Sequence, residues 1–266
     1  MPITDFQRLV LRLIAGGRSP ESHVAGGVAI NCTPDSPRYS QDVDIFHDAL
    51  ELTLKSAEQD VQLLAANGFD IVWAIKQPGF CRVVVSKENV NKERDSVKLE
   101  WVFDSAYRFF PAMPDVDLGY RLHLADVAVN KVLAAASRRE PRDFVDLIYL
   151  HTTYLHIAAL IWAAPGKDPG FSPESLLEHL DRNKAISPIE FEQLQLTRPI
   201  DPIAVRKQWE KMKEETTTLI SQYPVETVGC LFLQKRDNKP CLPDLDKFEN
   251  YTHHFGSLRG AWPQLA

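Results

Sequence analysis

Two carboxylates one residue apart, Asp42 and Asp44, are the residues whose types and spacing point most directly to chemistry. They lie in Ser40-Gln41-Asp42-Val43-Asp44-Ile45-Phe46, which alternates polar with apolar residues from Asp42 onward. That period predicts a strand with one buried face, so that Asp42, Asp44 and Ser40 project together while Val43 and Ile45 point into a core. Two acids so placed repel each other at neutral pH. A strand keeps them together most readily when a hard divalent cation, Mg²⁺ by preference, lies between them. Upstream, Gly26 and Gly27 follow His23 to Ala25 and precede Val28-Ala29-Ile30, a setting that predicts a strand turning into a helix. Only glycine lets backbone N–H groups come close to a phosphate at such a turn. A Gly-Gly pair alone is most often a plain turn, and D-x-D alone is most often a solvated strand edge. In this order they are more specific.

Together, Gly26-Gly27, a polar loop, and then Arg38-x-Ser40-x-Asp42-x-Asp44 resemble motif I of the nucleotidyltransferase superfamily that includes DNA polymerase beta. More narrowly, they resemble the AbiEii/AbiGii/MenT-like nucleotidyltransferase toxins. Many members place Ser or Thr after the glycines, where this chain has Val28, leaving phosphate holding to the loop backbone. The resemblance implies that Gly26, Gly27, Arg38 and Ser40 bind nucleotide. Farther on, Val97-Lys98-Leu99-Glu100-Trp101-Val102 alternates again, and Glu100 lies between large apolar residues where the superfamily carries its third acid; Asp104 is the nearby rival. In-line attack on the α-phosphate of an NTP uses two metal ions or a metal and a base. Asp42 and Asp44 would hold the metals, and Glu100 would complete the second site or take the proton.

A second constellation begins at Leu122, where residues turn helical in spacing and Pro141 marks the start of a new helix. Lys131, Arg138 and Arg142, with Asp146 beyond them, would share one side of a continuous helical path, and the bland reading is a solvated basic face with an Arg142–Asp146 ion pair. Lys131, however, sits amid Val127, Val129, Val132 and Leu133, where an ammonium needs an anionic partner. A triphosphate would supply one. Asp126, Lys131 and Arg139-x-x-Arg142-Asp143-x-x-Asp146-Leu147 resemble the second conserved block of the same toxin family. There the lysine contacts the triphosphate and the arginine and aspartates organise the site, which adds Lys131, Arg142 and Asp146 to the candidate residues.

The elements that must position these groups can be read coarsely. Met1 to Ala15 predicts an amphipathic helix, and Ala49 to Asn67 a helix stopped at Asn67-Gly68 and packed on the sheet. Strands are expected over Asp70 to Ile75, Phe80 to Ser86 and Ser96 to Phe103, with the charged Lys87 to Asp95 as an exposed hairpin loop. Beyond Tyr154, capping-box patterns predict helices over Ser172 to Arg182 and Ser187 to Leu196, and a long charged helix over Ile203 to Gln222. In the last, Arg206, Lys207, Lys211 and Lys213 are diluted by Glu210, Glu214 and Glu215, so a solvated face is expected. Thr227 to Leu233 reads as a strand, and Gln234 to Ala266 as an ordered tail without period. The fold class is therefore α/β (α+β), a nucleotidyltransferase-type mixed sheet flanked by helices with a helical C-terminal half. Residues 1–120 are expected to form the nucleotidyltransferase core, and 121–266 a mainly helical region that completes the active-site cleft.

Composition bounds the function. The net charge of -6 excludes a general polyanion binder and requires a local basic patch for any nucleic-acid substrate. The longest apolar run, Tyr154 to Ala164, is too short to cross a bilayer, and the N-terminus lacks the apolar core of a secretory signal. Four cysteines without C-x-x-C spacing fit reduced thiols in a cytoplasmic protein. The leading expectation is a metal-dependent nucleotidyltransferase moving an NMP from an NTP to an acceptor hydroxyl. The resemblance implies a tRNA 3′ end as acceptor, a toxin role and a separately encoded antitoxin. A small-molecule, antibiotic-type nucleotidyltransferase is the alternative the acidic charge favours, and a non-catalytic nucleotide- or partner-binding relative is the third. The presence of all three acids and Lys131 argues against the last.

Overall fold

The structure, a computed structural model, describes residues 3–33 and 35–263, with the backbone alone at residue 184. Of the stretches read above, Met1, Pro2, Pro34 and residues 264–266 lie outside the described residues. The chain divides into two compact units, Met1–Ala106 with Pro111–Leu124, and Tyr107–Phe110 with Ala125–Ala266.

The first unit opens with helix α1 (Asp5–Ile14), started by a capping box in which Thr4 and Gln7 bond each other's backbone. It continues through β1 (Ser22–Ala25), α2 (Gly26–Asn31), β2 (Asp42–His47), α3 (Leu50–Ala66), β3 (Asp70–Gln77), β4 (Phe80–Glu88) and β5 (Arg94–Phe103). After a short strand of the other unit, β6 (Tyr107–Arg108), come β7 (Met113–Asp115) and β8 (Gly119–Arg121). The sheet is seven-stranded in the order β3-β4-β5-β2-β1-β8-β7. The β2–β5 and β1–β8 pairs are parallel and the others antiparallel. Alternation acts as expected: Val43 and Ile45 of β2 and Val97, Leu99 and Trp101 of β5 enter one core with Val10, Leu11 and Ile14 of α1 and Ala57 and Leu64 of α3. That places the polar residues of β2 and β5 on the opposite face of the sheet. Behind the site, Trp101 Nε1 donates to Asp60 Oδ2 at 2.8 Å and Arg18 Nη2 donates to the same oxygen at 2.6 Å, which ties α3 to the buried face of β5.

Two details of the first unit differ from the sequence reading. The β4–β5 hairpin loop is shorter than Lys87 to Asp95, because both strands run on and pair Glu88 with Arg94. The β7–β8 hairpin has no counterpart in the sequence reading; its strands are three residues each, and Pro114 is tolerated because β7 is an edge.

The second unit carries α4 (Leu124–Ser137), α5 (Pro141–Thr153), α6 (Ile157–Ala163), α7 (Pro173–Asp181), α8 (Pro188–Glu192) and α9 (Pro202–Ile220), then β9 (Cys230–Gln234), β10 (Tyr251–Phe255) and β11 (Ser257–Leu258). Pro141 occupies the first turn of α5, where its missing N–H costs nothing. Every residue of α6 is buried, so the apolar run around it is a core helix. Among the described residues no single helix is long and apolar enough to cross a membrane. The strand expected from Thr227 begins at Cys230, after a 3₁₀ turn at Val225–Thr227 and Gly229 at φ +89°. The tail is ordered by pairing: β10 runs antiparallel to β9, and β11 to β6. The segment around β6 is further held by Asp126, which accepts the N–H groups of Phe109 and Phe110 at 2.8 and 3.0 Å and the Lys167 ammonium at 2.7 Å.

Candidate active site

On the open face of the first unit's sheet, register decides which side chains meet. Asp44 stands opposite Glu100, and Asp42 opposite Lys98, across the parallel β2–β5 pair. On the far side of β5, Arg82 of β4 stands opposite Glu100 and Val84 opposite Lys98. One row therefore reads Arg82, Glu100, Asp44 and Ala25, and the next Val84, Lys98 and Asp42. Lys98 Nζ lies 2.6 Å from Asp42 Oδ1, and Arg82 Nε lies 2.8 Å from Glu100 Oε1. The two carboxylate side chains are 12% and 13% exposed, so they sit at the floor of the face and can still be reached from solvent. Asp104 lies past the end of β5, where its N–H donates to the His47 carbonyl at 3.0 Å; Glu100 is the acid in register with Asp44.

The glycine pair closes over this floor. Gly26 begins α2 directly after Ala25, and its φ of +60° is a conformation that only glycine adopts without strain. A Cβ there would overlap the carboxylate of Asp44, and a Cβ on Gly27 would lie 2.7 Å from Ser40 Oγ and 3.1 Å from Arg38 Nη2. Gly26 thus lies against Asp44, and Gly27 against Ser40 and Arg38. Ser40 is fixed twice over, its hydroxyl donating to the Asp42 carbonyl at 2.9 Å and its own carbonyl accepting from Gln7 Nε2 at 2.7 Å. Arg38 is buried, with Nη1 donating to the Tyr39 carbonyl. Val28, which follows the glycine pair, packs into the core with Val24 and Val43.

In the second unit, Lys131 lies on α4 with its side chain 8% exposed. Its ammonium is 2.7 Å from Asp143 Oδ1 and 3.1 Å from Asp146 Oδ2, both carboxylates fully buried. The anionic partner that the sequence reading assigned to a triphosphate is therefore supplied in this structure by the chain itself. Arg138 Nε adds a third bond, 2.7 Å from Asp143 Oδ2. Burial alone would raise the Asp143 carboxyl, but Lys131 and Arg138 override it and hold it at about 2. Arg142 lies in the first turn of α5 with Nε 3.9 Å from Glu140. The sequence reading placed Lys131, Arg138, Arg142 and Asp146 along one path and carried Asp143 only as part of the Arg142-Asp143-x-x-Asp146 block. The chain in fact breaks between α4 and α5, and Asp143 and Asp146, three apart on one face of α5, turn back onto Lys131. The signal for Asp143 was its place in that block. Lys98 and Arg82 were passed over, although Lys98 lies two residues from Glu100 on the same strand face.

The donor set of Asp42, Asp44 and Glu100 is all carboxylate oxygen, which suits a hard divalent cation such as Mg²⁺. The space that Gly26 leaves over Asp44 would be closed by any side chain. A different trio, His151, His156 and Glu215, brings its ligand atoms within 4.8 Å of one another in the second unit. Its tautomers do not suit a metal. Both imidazoles accept backbone N–H groups at Nδ1, from Ile157 and Ala158 at 3.2 Å, so each Nε2 carries the proton. Burial, followed by His156, holds His151 at about 4.

The chain is similar to known proteins in family and in fold. A family model described as "Nucleotidyl transferase AbiEii toxin, Type IV TA system" matches residues 8–228, a span that includes both the paired aspartates and the Lys131 block. Among solved structures, MenT4, a nucleotidyltransferase toxin from Mycobacterium tuberculosis H37Rv, is 16% identical with a TM-score of 0.58, covering 83% of each chain. JHP933 from Helicobacter pylori is 16% identical with a TM-score of 0.52, covering 82% of this chain and 92% of that one. At that identity the likeness is one of fold. No curated protein matches the sequence.

Proposed function

The chain belongs to the nucleotidyl transferase AbiEii toxin family, and from that premise we propose that it is a metal-dependent enzyme moving a nucleoside monophosphate from an NTP to an acceptor hydroxyl. The observation that carries the metal dependence is the register of Asp44 with Glu100, two positions from Asp42 and beneath Gly26. Asp42, Asp44 and Glu100 would hold Mg²⁺, with two ions as the expected complement. Bound there, such cations would supply neutralising charge for the triphosphate and a lowered pKa for the attacking hydroxyl. Gly26, Gly27, Arg38 and Ser40 receive the nucleotide, the glycines by offering backbone N–H groups where no side chain intervenes. On the family resemblance Lys131 is assigned to the triphosphate, and Arg142 and Asp146 to organising the site. The acceptor oxygen bonds to the α-phosphorus, the α–β bridging bond breaks, and pyrophosphate leaves. Glu100 either completes the second cation site or takes the acceptor's proton.

The acceptor we propose is a tRNA 3′ end, the setting a cytoplasmic toxin paired with a cognate antitoxin protein, and the free thiols of Cys32, Cys81, Cys230 and Cys241 suit a reducing compartment. Incubating the protein with each α-labelled NTP, Mg²⁺ and total tRNA tests the acceptor. Label in tRNA supports it, and label only in small molecules overturns it in favour of the antibiotic-type alternative.

A further inference from the structure

We propose that Lys98 stands on Asp42 in place of a divalent cation and thereby couples cation binding to nucleotide binding; this rests on the reading of Asp42 and Asp44 as the cation site. Lys98 and Asp42 are register partners on adjacent strands, with Nζ 2.6 Å from Oδ1. A second cation, Arg82, sits on Glu100 at 2.8 Å. Two of the acids assigned to a metal therefore already carry a counter-charge from the chain.

The two counter-ions differ in how readily they can leave. Arg82 lies over the Phe80 ring, 5.1 Å from its centroid, which restrains the guanidinium beside Glu100. Lys98 is 40% exposed, and its flexible stem carries a compact charge with rotatable donors. On its other flank the register partner is Val84, which offers no carboxylate. When a divalent cation takes Asp42, the Lys98 ammonium is displaced beside a new positive charge and needs an anion. The triphosphate of the nucleotide supplies one. A cation arriving alone must evict Lys98 without compensation, whereas a cation arriving with nucleotide exchanges one partner of Lys98 for another. Cation and nucleotide then bind cooperatively, and the coupling is reciprocal.

The test is titration of Mn²⁺, as a spectroscopic probe of the Mg²⁺ site, into wild type, Lys98→Gln, Lys98→Arg and Asp44→Asn, with and without a non-hydrolysable NTP analogue. Lys98→Gln should bind Mn²⁺ alone about five- to tenfold tighter than wild type, the size expected for removing one screened positive charge at contact distance. The increase in Mn²⁺ affinity caused by the analogue should shrink by the same factor. Lys98→Arg, which keeps the charge, should retain the weaker affinity. If Lys98→Gln binds Mn²⁺ no tighter than wild type while Asp44→Asn loses binding, the coupling role fails and the cation site stands. If Asp44→Asn binds Mn²⁺ as wild type does, the reading of the site fails and this inference with it.

Discussion

Asp44 and Glu100 face each other in register across the parallel strands β2 and β5, although a helix and two strands separate them in sequence. Parallel pairing requires such a crossover connection, and here it brings an acid from the fifth strand beside the aspartate pair of the second. On this register Glu100→Gln should lower kcat/KM for nucleotide transfer by about 10²-fold or more, while Asp104→Asn stays within about threefold of wild type. Equal losses in the two variants, read with an α-labelled NTP, would remove Glu100 from its assigned role.

Replacing Gly26 by alanine tests the turn above the acids. The backbone there has φ +60°, and the new methyl would meet the Asp44 carboxylate. Gly26→Ala should cost about 1–2 kcal/mol from the left-handed conformation alone, with further loss as Asp44 is pushed aside. Urea denaturation measures the first effect and Mn²⁺ titration the second. A variant as stable as wild type with unchanged Mn²⁺ affinity would contradict the packing described.

Much of the first unit was legible because β2 and β5 obey strict alternation, so Asp42 and Asp44 could be placed on one face from spacing alone. Register was not legible, because nothing local in a strand says which residue it will meet; Asp44 opposite Glu100 and Lys98 opposite Asp42 emerge only from the sheet. The β7–β8 hairpin escaped notice because three-residue strands with an edge proline carry almost no pattern. Lys131 was legible as a buried ammonium in need of an anion. Its partners within the chain were not legible, because the break between α4 and α5 folds Asp143 and Asp146 back onto it, which spacing along a single helix cannot show.

Those partners change what Lys131→Ala should do. Removing the ammonium leaves Asp143 and Asp146 buried, with Arg138 as the nearest remaining compensation for Asp143. Breaking a buried pair in this way costs about 3–5 kcal/mol. Denaturant unfolding should show a loss of that order, and the double variant Lys131→Ala with Asp143→Ala should recover part of it. A loss below about 1 kcal/mol, the size typical of an exposed pair, would contradict the buried network.

Stability should also depend on pH through His47, the last residue of the aspartate-bearing strand. Burial first, and Arg18 second, lower it from its ordinary 6.5 to about 4, and its Nε2 lies 3.1 Å from Ser22 Oγ. With the folded value below the unfolded one, the unfolded chain takes the proton first as pH falls. This contribution is intact above about 6.5 and is lost as pH falls toward about 4. The thermal midpoint should drop across that window, and His47→Gln should flatten the drop. His151, also held at about 4, contributes with the same sign. A midpoint independent of pH from 7 to 4.5 would contradict both placements.

The most direct measurement compares wild type with Asp42→Asn and Asp44→Asn in Mg²⁺ with NTPs labelled at either the α- or the γ-phosphate. The expected result is transfer of the α-label to an acceptor with the γ-label released in pyrophosphate. Each substitution should reduce transfer by about 10²-fold or more with the far-UV spectrum unchanged. Near-normal transfer by both variants, or no transfer of the α-label by wild type from any of the four NTPs, would contradict the assignment of Asp42 and Asp44 as the centre of a nucleotidyltransferase site.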